Sequence, residues 1–419
     1  MKRWILVALA LGVLAALGAA GGYYVHVKHA SRDVKGSSTV EFVPTETTPP
    51  PAVVKQPDVS WPMYGLNPER LRATAGAAPS PPFRVLWTFH ARSLVEFPPA
   101  VAYGRLFFAN NAGVMFAVGK LNGRKAWSYT SGHCQAAAPA VDDQLVFQVF
   151  LNTPPCNRAE TPSLTGELIA FHAGSGKIAW RKTIGPSETS PAIVNGVVYV
   201  GDWRGRVYAF ADKTGRLLWS TQLSGEVKGG VAVAGKSVYA GDYASHVYAL
   251  NIANGHIRWR ASAQPRLGAT GRFYATPSVA YDRVYIGATD GKVYSFGAAS
   301  GDLRWSTSTG GYVYSSTAVW HERVYAGSYS HTFYCFDAAT GAVLWQFHAD
   351  GAISGSPSIV GGRVYFATLA RTTYGLDALT GKQVFSYPDG QYSPVVADKT
   401  HLYLVGVARV FGLVHKGQR

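Results

Sequence analysis

Apolar residues along most of this chain come in runs of about five, each cut short by a turn signal. The stretch from Ser190 to Thr221 shows the pattern most plainly. Asn195-Gly196 suits a tight hairpin turn in which both residues need positive φ. Arg204-Gly205 and Thr214-Gly215 mark two further reversals. The spacing predicts antiparallel strands at Ala192–Val194, Val197–Gly201, Arg206–Phe210 and Leu217–Thr221. A lone sheet of this kind has two apolar faces and needs a neighbour on each.

The neighbours are copies of the same unit. The segment Ala209–Trp219 has equivalents at Ala117–Trp127, Ala170–Trp180, Ala249–Trp259, Ser295–Trp305, Cys335–Trp345 and Gly375–Phe385. Each carries a small residue first, a glycine in the turn, and an aromatic four residues after that glycine. Most successive aromatics are about 40 residues apart, the spacing of propeller blades. Seven copies are complete, and an eighth, 393–414, ends one strand short. The missing strand is Phe83-Arg-Val-Leu-Trp87, which is expected to close the ring by completing the last sheet. The expected fold is therefore all-β: an eight-bladed propeller of four-stranded antiparallel blades over 83–419, with an N-terminal helix.

The repeat Asp337-Ala-Ala-Thr-Gly-Ala-Val-Leu-Trp345 resembles the tryptophan-docking motif of the pyrroloquinoline quinone (PQQ) repeat family. Trp61-Pro-Met-Tyr-Gly65 is similar to the lead-in of such proteins. That resemblance implies the propeller fold. It covers both PQQ-dependent alcohol dehydrogenases and non-catalytic propellers, including a lipoprotein that helps assemble outer-membrane barrels, and the chain resembles the latter more closely. Fold alone does not choose between the two.

Upstream of the repeats, Lys2-Arg3 precede an apolar run, Trp4–Val27. Its length and flanking charge predict a signal-anchor helix in segment 1–29, giving a single-pass protein of the cell membrane with an extracytoplasmic propeller. A cleaved signal peptide ending at Ala20 is the rival reading, and would leave the protein secreted. The Ser/Thr/Pro-rich segment 30–60 reads as a disordered linker, and 61–82 as an extended lead-in.

Among 419 residues the net charge is +15, which favours anionic partners unless it merely reflects overall composition. The expected partners are a protein or an anionic envelope polymer, plus the membrane through the N-terminal helix. Nucleic acid is not expected, and the ring is expected to be a monomer. Of the three cysteines, Cys335 occupies a small core position of its repeat. Cys134 lies in a connection between blades and Cys156 in an insertion between two strands. Both loops emerge on one face, so a Cys134–Cys156 disulfide is expected.

Irregular loops gather on that face, and loops on a rigid scaffold carry function. The candidate ligand- or partner-binding residues there are Asp202, Trp203, Arg204, Asp242, Tyr243, His246, Arg272, Tyr329, His331 and Arg371. Lys228 and Tyr312–Tyr314 add to the same surface. A PQQ dehydrogenase would need a cation held by carboxylate and amide oxygens, basic groups for the cofactor, a stacking aromatic and a carboxylate base. Arg272, Arg371, Trp203, Asp202 and Asp242 are the available pieces, but the ligand set of those enzymes has no match at motif positions. No catalytic residue, metal site or cofactor is therefore assigned. The expectation is a non-catalytic binding or scaffold module, with a dehydrogenase using PQQ and Ca²⁺ as the alternative.

Overall fold

The computed structural model describes residues 2–44, 58–74, 78–156, 164–265, 271–392 and 395–417. It is an eight-bladed propeller of antiparallel sheets. In blade III the strands are Ala192–Val194, Val197–Gly201, Arg206–Ala211 and Leu217–Gln222. The other complete blades repeat this order. Each innermost strand has three residues, drawn largely from Ala, Val and Ser, because eight sheets must converge on one axis. The second and third strands are buried almost throughout, and the outermost strand alternates towards solvent. Blade I gains a fifth strand, Val59–Trp61, against its inner edge.

The ring closes as the strand arithmetic requires. Phe83–His90 pairs with Arg409–His415, so the last sheet contains strands from both ends of the domain. Closure leaves no blade with an open flank.

Each repeat tryptophan does two things. It lies opposite the small residue of its own sheet, as Trp219 opposes Ala209. It also reaches the next blade, where the Trp219 indole N–H donates to the Ile252 carbonyl at 3.0 Å. There its ring covers Gly255, which has φ +75°, and a Cβ on Gly255 would come within 2.5 Å of the ring. The neighbouring-blade position under the tryptophan is thus the turn glycine, while the small residue makes room for the tryptophan of its own sheet.

The expected membrane anchor does not stand. A helix forms over Lys2–Ala30. Among the described residues, however, no helix is long and apolar enough to cross a membrane. Gly18, Gly21, Gly22, Tyr23, Tyr24, His26, Lys28 and His29 make its second half less apolar than the run before it. The single-pass membrane localisation of the propeller is overturned with it.

Residues 31–44, part of the stretch read from composition as linker, instead form a strap across blades V and VI. Val34 bridges Ser306 on the outer strand of blade V. Asp33 accepts hydrogen bonds from the Ser308 backbone and hydroxyl. The buried Arg283 guanidinium donates to the carbonyls of Ser37, Val40 and Glu41. Glu41 pairs with Arg304 at 2.5 Å. Compositional polarity missed the strap because most of its attachment comes from specific polar contacts, with Phe42 against Tyr281 as its apolar anchor. Residues 45–57 of the same stretch lie outside the described residues.

Candidate functional site

Residues 61–74 close the propeller axis at the face that carries the Thr-Gly turns. The central residues of five inner strands donate their N–H groups to this segment: Val141 to Pro62, Val233 to Pro68, Val279 to Glu69, Val319 to Leu71 and Ile359 to Arg72. Arg70 is fully buried and donates to the carbonyls of Val231, Ser190 and Tyr64. Burial, reinforced by the nearby Arg72, pulls its guanidinium down to about 9. Arg72 lies 4.0 Å from the Tyr64 ring centre.

Above this plug the axis opens into a cavity of about 340 Å³. Its floor is a ring of hydroxyls two residues before the inner strands begin. The hydroxyl oxygens of Thr276, Ser316 and Ser356 accept the backbone N–H of Gly230, Thr276 and Ser316, linking blade to blade. Tyr64 reaches the same floor through a 2.7 Å hydrogen bond with Ser356.

Two residues earlier in each connection, the side chains form the cavity wall: Glu96, Glu188, Lys228, Tyr274 and Tyr314. Glu188 is buried. One of its carboxylate oxygens accepts the Trp203 indole N–H at 2.9 Å and the other accepts the Tyr274 hydroxyl at 3.3 Å. Burial raises its carboxyl to about 7; Lys228 opposes the rise and Glu96 adds to it. Glu96 is likewise raised by burial, against a hydrogen bond from Asn111. The Lys228 ammonium sits 4.3 Å from the Trp203 ring centre and 4.6 Å from that of Tyr243, and 3.3 Å from Glu226. The rings of Tyr243, Tyr274, Tyr314 and Tyr329 run in edge and tilted contacts around half the mouth.

The sequence candidates divide cleanly. Tyr243 and Tyr329 line this mouth, and Trp203 and Arg272 support it, Trp203 through Glu188 and Arg272 over the Tyr243 ring at 5.4 Å. Asp202 and Asp242 are buried turn residues. Asp202 accepts the N–H of Gly185, Arg204 and Arg206 and the Tyr208 hydroxyl. Asp242 does the same for Gly225, His246 and Tyr248. Arg204 turns outward to the Leu164 carbonyl, and His246 stays beside Asp242 at 3.5 Å. His331 stacks on His348, and Arg371 is a turn residue with φ +70°. None of these last four lines the cavity.

Glu96, Glu188 and Tyr392 line the cavity but were not picked out from the sequence. A signal existed for the first two: each lies at the repeat position two residues ahead of the floor position, and in Glu188-Thr-Ser-Pro191 that floor residue is the serine of a Ser-Pro pair. Cys134 and Cys156 are joined, with their Cα atoms 5.8 Å apart. Cys134 packs with Leu151 and Phe97 against Trp203, so the bridge backs the wall that carries Glu188.

A family model described as outer membrane protein assembly factor BamB, of the PQQ type, matches residues 164–316 and 308–411. BamB from Moraxella catarrhalis is similar in structure, with TM-score 0.63 and 16% identity over 79% of this chain and 99% of that one. A europium-containing methanol dehydrogenase is similar at TM-score 0.73 and 13% identity, over 86% of this chain and 98% of that one. The computationally designed Ika8 protein gives TM-score 0.65 and 16% identity, over 79% and 99%. At such identities the structural likeness shows the fold alone. No curated protein matches the chain. The repeat motif, the closed ring and the family match over more than half its length agree: the chain belongs to the PQQ-like β-propeller family.

Proposed function

We propose that this propeller is a non-catalytic binding module whose mouth face receives a projecting part of another protein. The observation that carries this reading is a dead-end cavity, plugged at one face by 61–74 and rimmed at the other by exposed or half-exposed aromatic and basic side chains. A plugged axis admits a side chain or a chain end, not a threaded polymer. Tyrosine rims give large contact area at low entropic cost. The description of the matching family, an assembly factor, supports a protein as what binds.

The cavity's own chemistry argues against PQQ as its occupant. A planar tricarboxylate needs cationic walls and a flat stacking slot. Here Glu188 and Glu96 project into the space, and the tyrosines meet edge-on. No group of three His, Cys, Asp or Glu residues suited to a metal ion occurs among the described residues.

The test places a photo-crosslinking amino acid at Tyr312, on the mouth, and at Leu379, on the opposite face. Irradiation in cells should give a discrete protein adduct from position 312 and none from 379. Equal adducts from both, or no adduct from 312, would overturn the reading. So would turnover of a primary alcohol with an artificial electron acceptor after addition of PQQ and Ca²⁺.

A further inference from the structure

We propose that the cavity is a pocket for the ammonium group of a lysine side chain projecting from an acidic surface of the bound protein. This rests on the protein-binding reading of the mouth and names what the mouth selects.

The charges are arranged by depth. Arg272 is exposed at the rim, the Lys228 side chain is 15% exposed, and Glu188 is 8% exposed further in. Anionic groups of a partner therefore meet the rim, and a cation fits below it. The charged groups around Glu188 are Glu96 and Glu226 on one side of the balance and Lys228 and Arg272 on the other. The phenols of Tyr243, Tyr274 and Tyr314 complete the surroundings. Lys228 is engaged by Glu226 and by two ring faces, and Arg272 by the Tyr243 ring. Among the described residues, no ion pair joins Glu188. Glu188, once ionised, is thus left without an ion-pair partner of its own, and a guest cation supplies one.

The rest of the lining suits an alkyl ammonium. Each Glu188 oxygen accepts one hydrogen bond from the protein and keeps acceptor capacity for another. Aromatic faces attract a cation and bury its methylene stem. At about 340 Å³ the space lies at the small end for ligand sites, matching one side chain and excluding a sugar polymer. Outside the pocket, the chain's +15 charge favours an acidic partner surface around that lysine.

A pH dependence follows. The Glu188 carboxyl is raised to about 7, so it must lose its proton to hold an ammonium, which itself stays charged to well above pH 8. Apparent affinity scales with the ionised fraction, so binding should weaken about 30-fold from pH 8.5 to pH 5.5.

The experiment is calorimetric titration of the full chain with acetyl-Asp-Lys-Asp-amide, and with the same peptide carrying norleucine for lysine. The expected result is saturable binding of the lysine peptide alone, weakening on acidification as above and lost by at least tenfold in Glu188→Gln. Equal binding of both peptides, no saturable binding, or an affinity that strengthens on acidification would overturn the proposal. The pH series on the unaltered protein keeps it falsifiable if Glu188→Gln fails to fold. Crosslinking at Tyr312 without lysine-peptide binding would sink this inference alone. Peptide binding without any crosslinked protein would sink the protein-binding reading and leave an ammonium pocket.

Discussion

On the face that carries the Thr-Gly turns, Gly123, Gly176, Gly215, Gly255, Gly301, Gly341 and Gly381 each lie under the tryptophan of the preceding blade. On the mouth face, successive equivalent positions hold Glu96, Ala136, Glu188, Lys228, Tyr274, Tyr314 and Ser354. The same strands carry both sets. At the turns every blade must present the same shape to its neighbour, so one solution recurs. At the mouth the side chains point into shared space rather than into a neighbour. There, these seven positions, holding five residue types, can be combined into one site.

The largest way to break this contrast is on the repetitive face. Trp219→Ala removes a ring that covers Gly255 and a hydrogen bond to Ile252. The expected loss is about 3–5 kcal/mol of stability, the usual range for a large aromatic truncated in a core. Thermal or denaturant melts would measure it. Lysine-peptide binding below the lowered melting point should be unchanged, since Trp219 is not part of the cavity lining.

The second change has the opposite sign. Glu188 is raised from the usual 4.5 to about 7, with burial as the main cause. A carboxyl raised in the folded state lets the protein be most stable below about pH 4.5, where it is protonated folded and unfolded alike. Stability is then lost as pH rises to about 7, and the deficit remains above that. Glu188→Gln should remove the deficit and stabilise the protein by about 3 kcal/mol at pH 8, with little gain at pH 4. Melting curves at the two pH values test this. A destabilised variant at pH 8 would mean that the carboxylate is compensated in place. A stabilising substitution that abolishes binding is the mark of a site kept at a cost to the fold.

How much of this was legible from residues alone follows the same division. Trp219, Gly255 and their equivalents announce themselves because repetition turns a weak local signal into a strong one. The closing strand could be placed at Phe83–Trp87 because Trp87 was the one repeat aromatic left without a sheet, and the structure extends it to His90. Asp202 and Asp242 looked like a paired functional signal for the same reason, yet their repetition marks a structural task, holding turn N–H groups. Glu188 went unseen because its repeat position varies from blade to blade, with only Glu96 alike, and its chemistry arises only where the connections converge. The strap at 31–44 was hidden in polar composition: Asp33, Gly36 and Glu41 read as linker residues until Arg283, Arg304 and Ser308 face them.

The smallest effect on stability should come from the mouth's edge, and it sharpens the contrast most directly. Tyr312 is 50% exposed, and its ring leans on Tyr314 and Tyr329 at about 6 Å, without a hydrogen bond among those found for the described residues. Truncating it to alanine removes surface that is already largely wet, and it opens no cavity inside the fold. Stability should stay within about 0.5 kcal/mol of the parent, as for surface positions in general. Its role on this reading lies in contact: with Tyr329 it forms the outer shoulder against which a partner would press. Tyrosines that reach an interface often carry a disproportionate share of its energy. Tyr312→Ala should therefore leave the melting curve in place while reducing capture of the partner by a crosslinker moved to Tyr329. It should leave lysine-peptide affinity nearly untouched, because Tyr312 stands outside the pocket that holds Glu188. A Tyr312→Ala protein that melts several degrees lower would show that the mouth is built for rigidity like the turns. A protein that melts normally and captures its partner as well as the parent would place the contact elsewhere on the ring.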